Sequence, residues 1–394
     1  MKKNIISKRI FFKEIHALIN HIKKKYKKKY IYLHEPFFDK REIQNLSECI
    51  NSTYVSTNGN WIKKFENQIK KITKSKYVIT TNNGTSAIHS GLIYFGINSK
   101  HEVLIPNINF IAAPNAVKYC GGVPVLIDID TEDLGPDVKK LEEFLREKYY
   151  IKNNICINRK NKKILKALIV THVFGMPAKI NEIINLAKKY KFIVLEDATE
   201  ALGSKYRNKH LGTYGKIGFL SFNGNKIITT GGGGAILTNS FKIYKKIKHL
   251  SSTARIQDKI ELTYSNVGYN YRMPNINAAL GCAQIIKLKE YLKQKRENHK
   301  SYKILFSKFH CFELMDEKRD STNNFWLETV IIKKEYIKYR KLMFEIFFKN
   351  NIFIRPVWKC ISNQNAFKNC KKMNLKNSIN LEKRIFNLPS SYIE

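Results

Sequence analysis

A chain of 394 residues with 71 Lys and Arg against 32 Asp and Glu, a formal charge of +39, is long enough for one large domain and a smaller one, and its basicity raises nucleic acid as a partner. The lysines are spread along the whole chain beside abundant Asn and Ile, with no focused stripe on a recognisable reading module, which argues against that role. No run approaches the ~20 apolar residues of a membrane-spanning helix, and seven cysteines, an odd number without a CxxC pair, suggest neither a disulfide framework nor a metal site.

The first thirty residues are basic but lack the apolar core and small-residue cleavage site of an export signal, so a reducing cytoplasm is the expected compartment. Residues 1–35 read as a basic segment, either a plain surface helix or an added contact between copies, with Lys23 to Lys29 as solvated charge. Residues 36–275 read as a large α/β domain. Short β-branched runs predict seven strands of a mostly parallel sheet: Tyr77–Thr80, Glu102–Ile105, Val123–Ile127, Leu165–Val170, Phe192–Glu196, Ile217–Phe222 and Gly234–Thr238. Between them Thr85–Phe95, Ala112–Tyr119, Val138–Leu145 and Ile180–Tyr190 carry the apolar spacing of helices that cover both sheet faces. The insertion Lys152–Lys163 reads as solvated surface. Residues 276–394 predict a long helix over Ala278–Arg296, then a smaller α+β domain with strand-like Trp326–Ile332, helix-like Glu335–Phe348 and a last strand around Ile352–Arg355.

Three places carry candidate chemistry. Asn82-Asn83-Gly84-Thr85-Ser86-Ala87 follows a strand and opens a helix, where free N–H groups, a close backbone approach at Gly84 and the hydroxyls of Thr85 and Ser86 suit a phosphate; an ordinary helix cap is the plainer reading. Glu196-Asp197-Ala198-Thr199-Glu200 puts acids at the carboxyl end of a buried strand, where ligands of open α/β sheets bind; Asp197 suits a protonated ring nitrogen or a helix cap equally. Ser221-Phe222-Asn223-Gly224-Asn225-Lys226 precedes Gly231-Gly232-Gly233-Gly234, and the order lysine, glycines, strand reverses that of a phosphate-binding P-loop. A lysine in such a tight turn suits Schiff-base chemistry, although a surface lysine would be the default for the motif alone.

Together these motifs resemble the DegT/DnrJ/EryC1/StrS family of sugar aminotransferases, fold-type I enzymes that use pyridoxal 5′-phosphate (PLP). The likeness extends to Tyr54-Val55-Ser56-Thr57-Asn58-Gly59 with Phe65-Glu66, Pro106-Asn107-Ile108-Asn109-Phe110 with Ala112 and Asn115, Thr171-His172-Val173-Phe174-Gly175, Val267 to Met273 and Asn387 to Ser391. The resemblance implies that Lys226 holds the cofactor and that Asp197 pairs with its ring nitrogen. It also implies that Gly84, Thr85, Ser86 and Ser221 serve the phosphate, that Phe110 lies against the cofactor face, and that Asn270 reaches in from a neighbouring subunit of a homodimer. Glu200 stands where many members have Gln beside the cofactor's ring oxygen. The loop SFNGNKIITTGGGG is similar to the branch of legionaminic acid and bacillosamine pathways, implying glutamate as amino donor, a UDP-linked 4-keto-6-deoxy-2-acetamido sugar as acceptor, and a place in surface glycan synthesis. Two rivals are a PLP-dependent sugar dehydratase, in which His replaces the lysine, and a non-catalytic basic binding protein.

Overall fold

Alternating helices and strands run through the first two thirds of the chain. The structure, a computed structural model, describes residues 2–256, 258 and 260–393. Helices α1 (Lys2–Tyr26), α2 (Lys40–Asn51) and α3 (Asn60–Thr73) lead into β1 (Tyr77–Thr81), α4 (Gly84–Tyr94), β2 (His101–Pro106), α5 (Ala112–Tyr119) and β3 (Val123–Ile127). The pattern continues through α6 (Val138–Lys148), β4 (Tyr149–Lys152), β5 (Ile155–Asn158), β6 (Ile164–Thr171), α7 (Ile180–Tyr190) and β7 (Ile193–Asp197). Two short strands, β8 (Lys205–Tyr206) and β9 (Lys209–His210), precede β10 (Ile217–Ser221), β11 (Gly234–Thr238) and α8 (Phe241–Leu250).

The main sheet has the order β1-β11-β10-β7-β6-β2-β3, with β11 antiparallel to both neighbours and every pair from β10 to β3 parallel. All seven predicted strands are there, yet the sheet has ten. A late strand, β16 (Lys371–Lys372), joins the edge beside β3, and the β4–β5 hairpin hangs on β6. The hairpin corrects the reading of Lys152–Lys163 as mere solvated surface. Glu102 of β2, fully buried, needs partners for its charge, and it accepts hydrogen bonds from Tyr149, Asn158, Asn161 and the Lys371 ammonium at 2.8–3.0 Å.

Side chains alternate along a strand, so neighbouring residues serve opposite faces. Ala167 and Ile169 pack with α4, α5 and α8, whereas Leu168 and Val170 pack with α6 and α7. Helix α3 and α9 (Asn275–Ile286) cover the remaining stretch near β1 and β11, where Phe65 and Cys282 meet Val78 and Leu237. The single helix predicted over Ala278–Arg296 is two, because the chain turns at Lys287 before α10 (Leu288–Phe306). Lys287, the one-residue turn between them (φ −80°, ψ −7°), pairs its buried ammonium with Asp39 and Glu42.

Beyond α10 come β12 (Phe312–Leu314), β13 (Ser321–Thr322), β14 (Glu328–Ile332), α11 (Arg340–Lys349), β15 (Arg355–Pro356), α12 (Lys376–Glu382) and β17 (Ile385–Leu388). Strands β12-β14-β17-β15 form a second, antiparallel sheet, and β13 pairs with β8. The last predicted strand begins later than expected, since Ile352 makes only an isolated bridge to Ile31. The N-terminal segment is no plain surface helix. Phe11, Ile15, Leu18, Ile22 and Tyr26 of α1 are buried in one core with Tyr302, Phe312, Val330, Phe347 and Phe386, while Lys23, Lys24 and Lys27 to Lys29 stay exposed. An amphipathic stripe with its charges on the far face explains both facts.

Candidate active site

The strand register brings Thr171, Asp197 and Ser221 to the same edge of the sheet. Thr171 pairs with Asp197, Asp197 with Phe219, and Ser221 with Gly234, which in turn faces Thr81 at the end of β1. Just outside these strand ends lies a cavity of about 340 Å³, the usual position for a ligand in an open α/β sheet. Larger clefts exist elsewhere, but among the described residues this one joins a lysine, two buried carboxyls and a helix N-terminus.

The helix end comes first. Asn83 caps α4 by accepting the Ser86 N–H at 2.8 Å, leaving the N–H groups of Gly84 and Thr85, two residues that line the cavity, outside the intrahelical ladder. Across it stands Ser221. A Cβ built on Gly84 would come 3.2 Å from the Ser221 Cβ and 3.5 Å from the Thr199 methyl, so any larger residue would fill this cradle. Ser86 does not line the cavity. As the third helical residue it is turned inward, and the cap already uses its N–H.

At the floor, Asp197 is buried at the end of β7. Burial raises its carboxyl above the usual carboxylate range, opposed by the hydroxyl and N–H of Thr199, Lys226 and His172. Its neighbour Glu196 points to the other face. It accepts the His172 ring Nε2–H at 3.1 Å and the N–H groups of Gly212, Tyr214 and Gly215 at 2.5–2.9 Å, tying the ends of β6, β7 and the turn before β10 together. The second acid of the cavity is Glu200. Burial raises it too, against the pull of Lys226 and the Phe174 N–H.

Lys226 sits in the β10–β11 loop, which is pinched shut by Phe222 N–H to Gly233 O and Thr230 N–H to Phe222 O, each 2.9 Å. Its side chain is 13% exposed, and Nζ lies 3.1 Å from Glu200 Oε1 and 4.1 Å from the centre of the Trp326 ring. Phe174 donates its N–H to Glu200 Oε2 at 2.8 Å from a left-handed backbone conformation (φ 53°), strain of the sort that concentrates at functional sites.

Gly84, Thr85, Phe110, Asp197, Glu200, Ser221 and Lys226 thus meet in one cavity. Asn270 stands apart, on a separate surface cleft with Arg255 and Arg272. Sequence reasoning missed Thr199, Asn225, Trp326 and Trp358. Trp326 was visible only as the start of a strand, although two of the chain's three tryptophans prove to line the cavity. The donor set suits a phosphorylated aromatic aldehyde: an anion cradle, an amine for the aldehyde and a buried acid for a ring nitrogen, with an aromatic wall from Phe110, Trp326 and Trp358.

Comparison with known proteins decides the family, because residues 36–392 match the model of the DegT/DnrJ/EryC1/StrS aminotransferase family. The chain belongs to that family. This family member is an aminotransferase, and its cofactor is PLP. It is 34% identical over 305 residues to a GDP-perosamine synthase of Escherichia coli O157:H7, covering 77% of this chain and 79% of the relative. It is 30% identical over 322 residues to a UDP-4-amino-4,6-dideoxy-N-acetyl-beta-L-altrosamine transaminase of Campylobacter jejuni, covering 82% and 81%. Among solved structures, Helicobacter pylori PseC, an aminotransferase involved in pseudoaminic acid biosynthesis, shares the fold with a TM-score of 0.82 at 24% identity over 92% of this chain and 93% of that one. Among the described residues no helix of this family member is long and apolar enough to cross a membrane, and no group of metal-ligating side chains is found.

Proposed function

We propose that the protein moves the amino group of glutamate to the C4 ketone of a nucleotide-linked 4-keto-6-deoxy sugar. The observation that carries this is Lys226 Nζ, held beside two buried acids in a cavity whose far end is a helix N-terminus. Lys226 would bind the aldehyde carbon of PLP, Asp197 its ring nitrogen, and Gly84, Thr85 and Ser221 its phosphate, with Phe110 against the ring. Asn270, turned away from its own cavity, is assigned to a second copy's site in a homodimer.

Each role follows from chemistry. The Lys226 amine, once free, takes the α proton of glutamate as a base and delivers it as an acid, and the same steps run in reverse on the sugar ketone. Bound PLP supplies the electron sink for the negative charge left on the α carbon. Asp197 keeps the ring nitrogen protonated, for which a carboxylate buried at a strand end, away from water, is well placed. A net charge of +39 favours approach of an anionic nucleotide sugar.

Two acceptors are in view. The lysine-loop motif and the similarity to the altrosamine transaminase support a UDP-linked sugar with a 2-acetamido group. The higher identity to the perosamine synthase supports a GDP-linked sugar. The test is spectroscopic: glutamate should bleach the visible band of the PLP-loaded protein, and the true acceptor should restore it. Restoration by the UDP-linked acetamido sugar alone supports the first acceptor and by the GDP-linked sugar alone the second; a band that glutamate leaves untouched refutes the donor.

A further inference from the structure

Helix α1 precedes the stretch that the family shares, which begins at residue 36. The first 30 residues carry 11 Lys and Arg against a single acid, Glu14, and so hold ten of the 39 net charges. Glu14 offsets none of this at the surface, because it is buried and accepts the N–H groups of His310 and Cys311 at 2.6 and 2.9 Å. Arg9, Lys13, His16, Asn20 and Lys24 are exposed and recur at steps of three or four, so they line one outward face of α1. Lys27 to Lys29 carry that face past the helix end. Among the described residues it holds one ion pair, Lys28 with Glu35 at 3.1 Å. The helix dipole accounts for cations in the last turn, Lys23 to Lys25, but not for Arg9 and Lys13, which lie turns away from it.

Aromatic rings continue the surface. Ile31 is buried and bridges to Ile352, which turns Tyr30 and Tyr32 on either side of it outward, 46% and 48% exposed. Tyr32 stacks on Phe353 with ring centres 5.0 Å apart, and Lys29 Nζ stands 5.6 Å from the centre of the Tyr30 ring. Lys23 Nζ donates to Asn350 Oδ1 at 2.7 Å, close in sequence to Phe353, which sets the basic face and the rings side by side.

Lysines flanked by exposed rings suit a lipid surface, where ammonium groups meet phosphates and the rings lie at head-group level. The apolar stripe of α1 is used up in the protein's own core, so the helix stays on that surface rather than entering it. A second copy of the chain fits poorly, since a two-fold contact would set this face against itself and bring like charges together. Nucleic acid fits less well too: the face is a convex helix with Arg9 as the one arginine of the first 30 residues, whereas strand binding favours a groove and the planar fork of Arg. We propose that the outward face of α1, with Lys27 to Lys29, Tyr30 and Tyr32, docks the protein on an anionic lipid surface. The contact is electrostatic and reversible, and it weakens as salt rises.

The experiment sediments the PLP-loaded full-length protein with vesicles of phosphatidylcholine alone or mixed with phosphatidylglycerol. The wild type should bind the mixed vesicles only and come off as salt is added. Lys13→Gln, Lys24→Gln, Lys27→Gln and Lys29→Gln together should weaken binding about 100-fold or more, since each lysine near an anionic surface contributes about fivefold. The same replacement of Lys139, Lys152, Lys160 and Lys188, exposed on the large domain, removes equal charge and should weaken binding less than about fivefold. Tyr30→Ser with Tyr32→Ser should cost about tenfold. Both lysine sets should keep the wild-type melting temperature and glutamate bleaching, since none of those side chains lines the cavity. No binding to the mixed vesicles, equal losses in the two lysine sets, or a preference for a single-stranded oligonucleotide over the vesicles at equal phosphate would overturn the proposal.

Discussion

Replacing Gly84 by alanine should separate cofactor binding from stability. At the first turn of α4 alanine is the better helix former, by about 0.5–1 kcal/mol. Its Cβ would stand 3.2 Å from the Ser221 Cβ and 3.4 Å from its Oγ, tight but within what a few tenths of an ångström of movement relieves, so the two effects nearly cancel and the melting temperature should hardly move. The methyl nevertheless occupies the cradle between the α4 N-terminus and Ser221. Loss of one charge-assisted hydrogen bond from a bound phosphate, about 1.5–3 kcal/mol, corresponds to ~10–150-fold weaker PLP binding. Gly91→Ala is the control, seven residues along the same helix: its Cβ would lie 2.7 Å from Phe219 Cζ, inside the core. Overpacking there should cost a net ~1–2 kcal/mol and lower the melting temperature while leaving the affinity of the folded protein intact. Titration of visible absorbance gives the affinities, and calorimetry the stabilities. Unaltered PLP affinity in Gly84→Ala would refute the placing of the phosphate at α4.

Three further substitutions probe other parts of the account. Asp197→Asn should fold and load PLP but lose about 100-fold or more in turnover, and a rate close to wild type in stopped-flow bleaching would move the ring-nitrogen contact elsewhere. Burial pushes the Glu196 carboxyl up, but the His172 ring and the N–H groups of Gly215 and Gly212 outweigh it and hold it below its usual value of 4.5. A lowered folded value means that its stabilisation is fully present above that pH and is lost as pH falls through the folded value. Glu196→Gln should therefore cost about 2–4 kcal/mol in urea unfolding at neutral pH, with the gap to wild type closing in acid; a gap constant with pH would contradict the linkage. Phe11→Ala, at a fully buried position in α1, should cost about 3–5 kcal/mol and expose the N-terminal segment to protease, and an unchanged digestion pattern would mean that α1 does not hold the C-terminal sheet.

Much of the fold was legible because parallel strands buried on both faces read as short β-branched runs. Leu165 to Val170 and Ile217 to Phe222 announce themselves in this way, and the βαβ order between them fixes a parallel sheet. The remaining three strands were not legible for a physical reason. Lys371–Lys372 is short and charged, and the β4–β5 hairpin is two four-residue strands that follow α6 without a break and sit amid charged residues; both bring partners far apart in sequence to one buried carboxylate, Glu102. The turn at Lys287 was hidden likewise, since the residues that Lys287 pairs with there, Asp39 and Glu42, are far away in sequence. In the site, Gly84, Asp197 and Lys226 stood in motifs whose order carries meaning. Trp326 and Trp358 come from a later part of the chain and reach the cavity only through tertiary packing, so no local spacing could place them. The basic segment misled because its lysines cluster in the run Lys23 to Lys29, although the stripe from Phe11 to Tyr26 is what packs.

The central claim is that the cofactor is joined to Nζ of Lys226. Borohydride reduction of the PLP-loaded protein, followed by proteolysis and mass mapping, tests it most directly, because reduction makes the carbon–nitrogen link permanent. The account predicts the cofactor's mass on the peptide containing Lys226 and on no other in stoichiometric yield, with none in Lys226→Ala. Stoichiometric label on a different lysine, or label undiminished in Lys226→Ala, would contradict it.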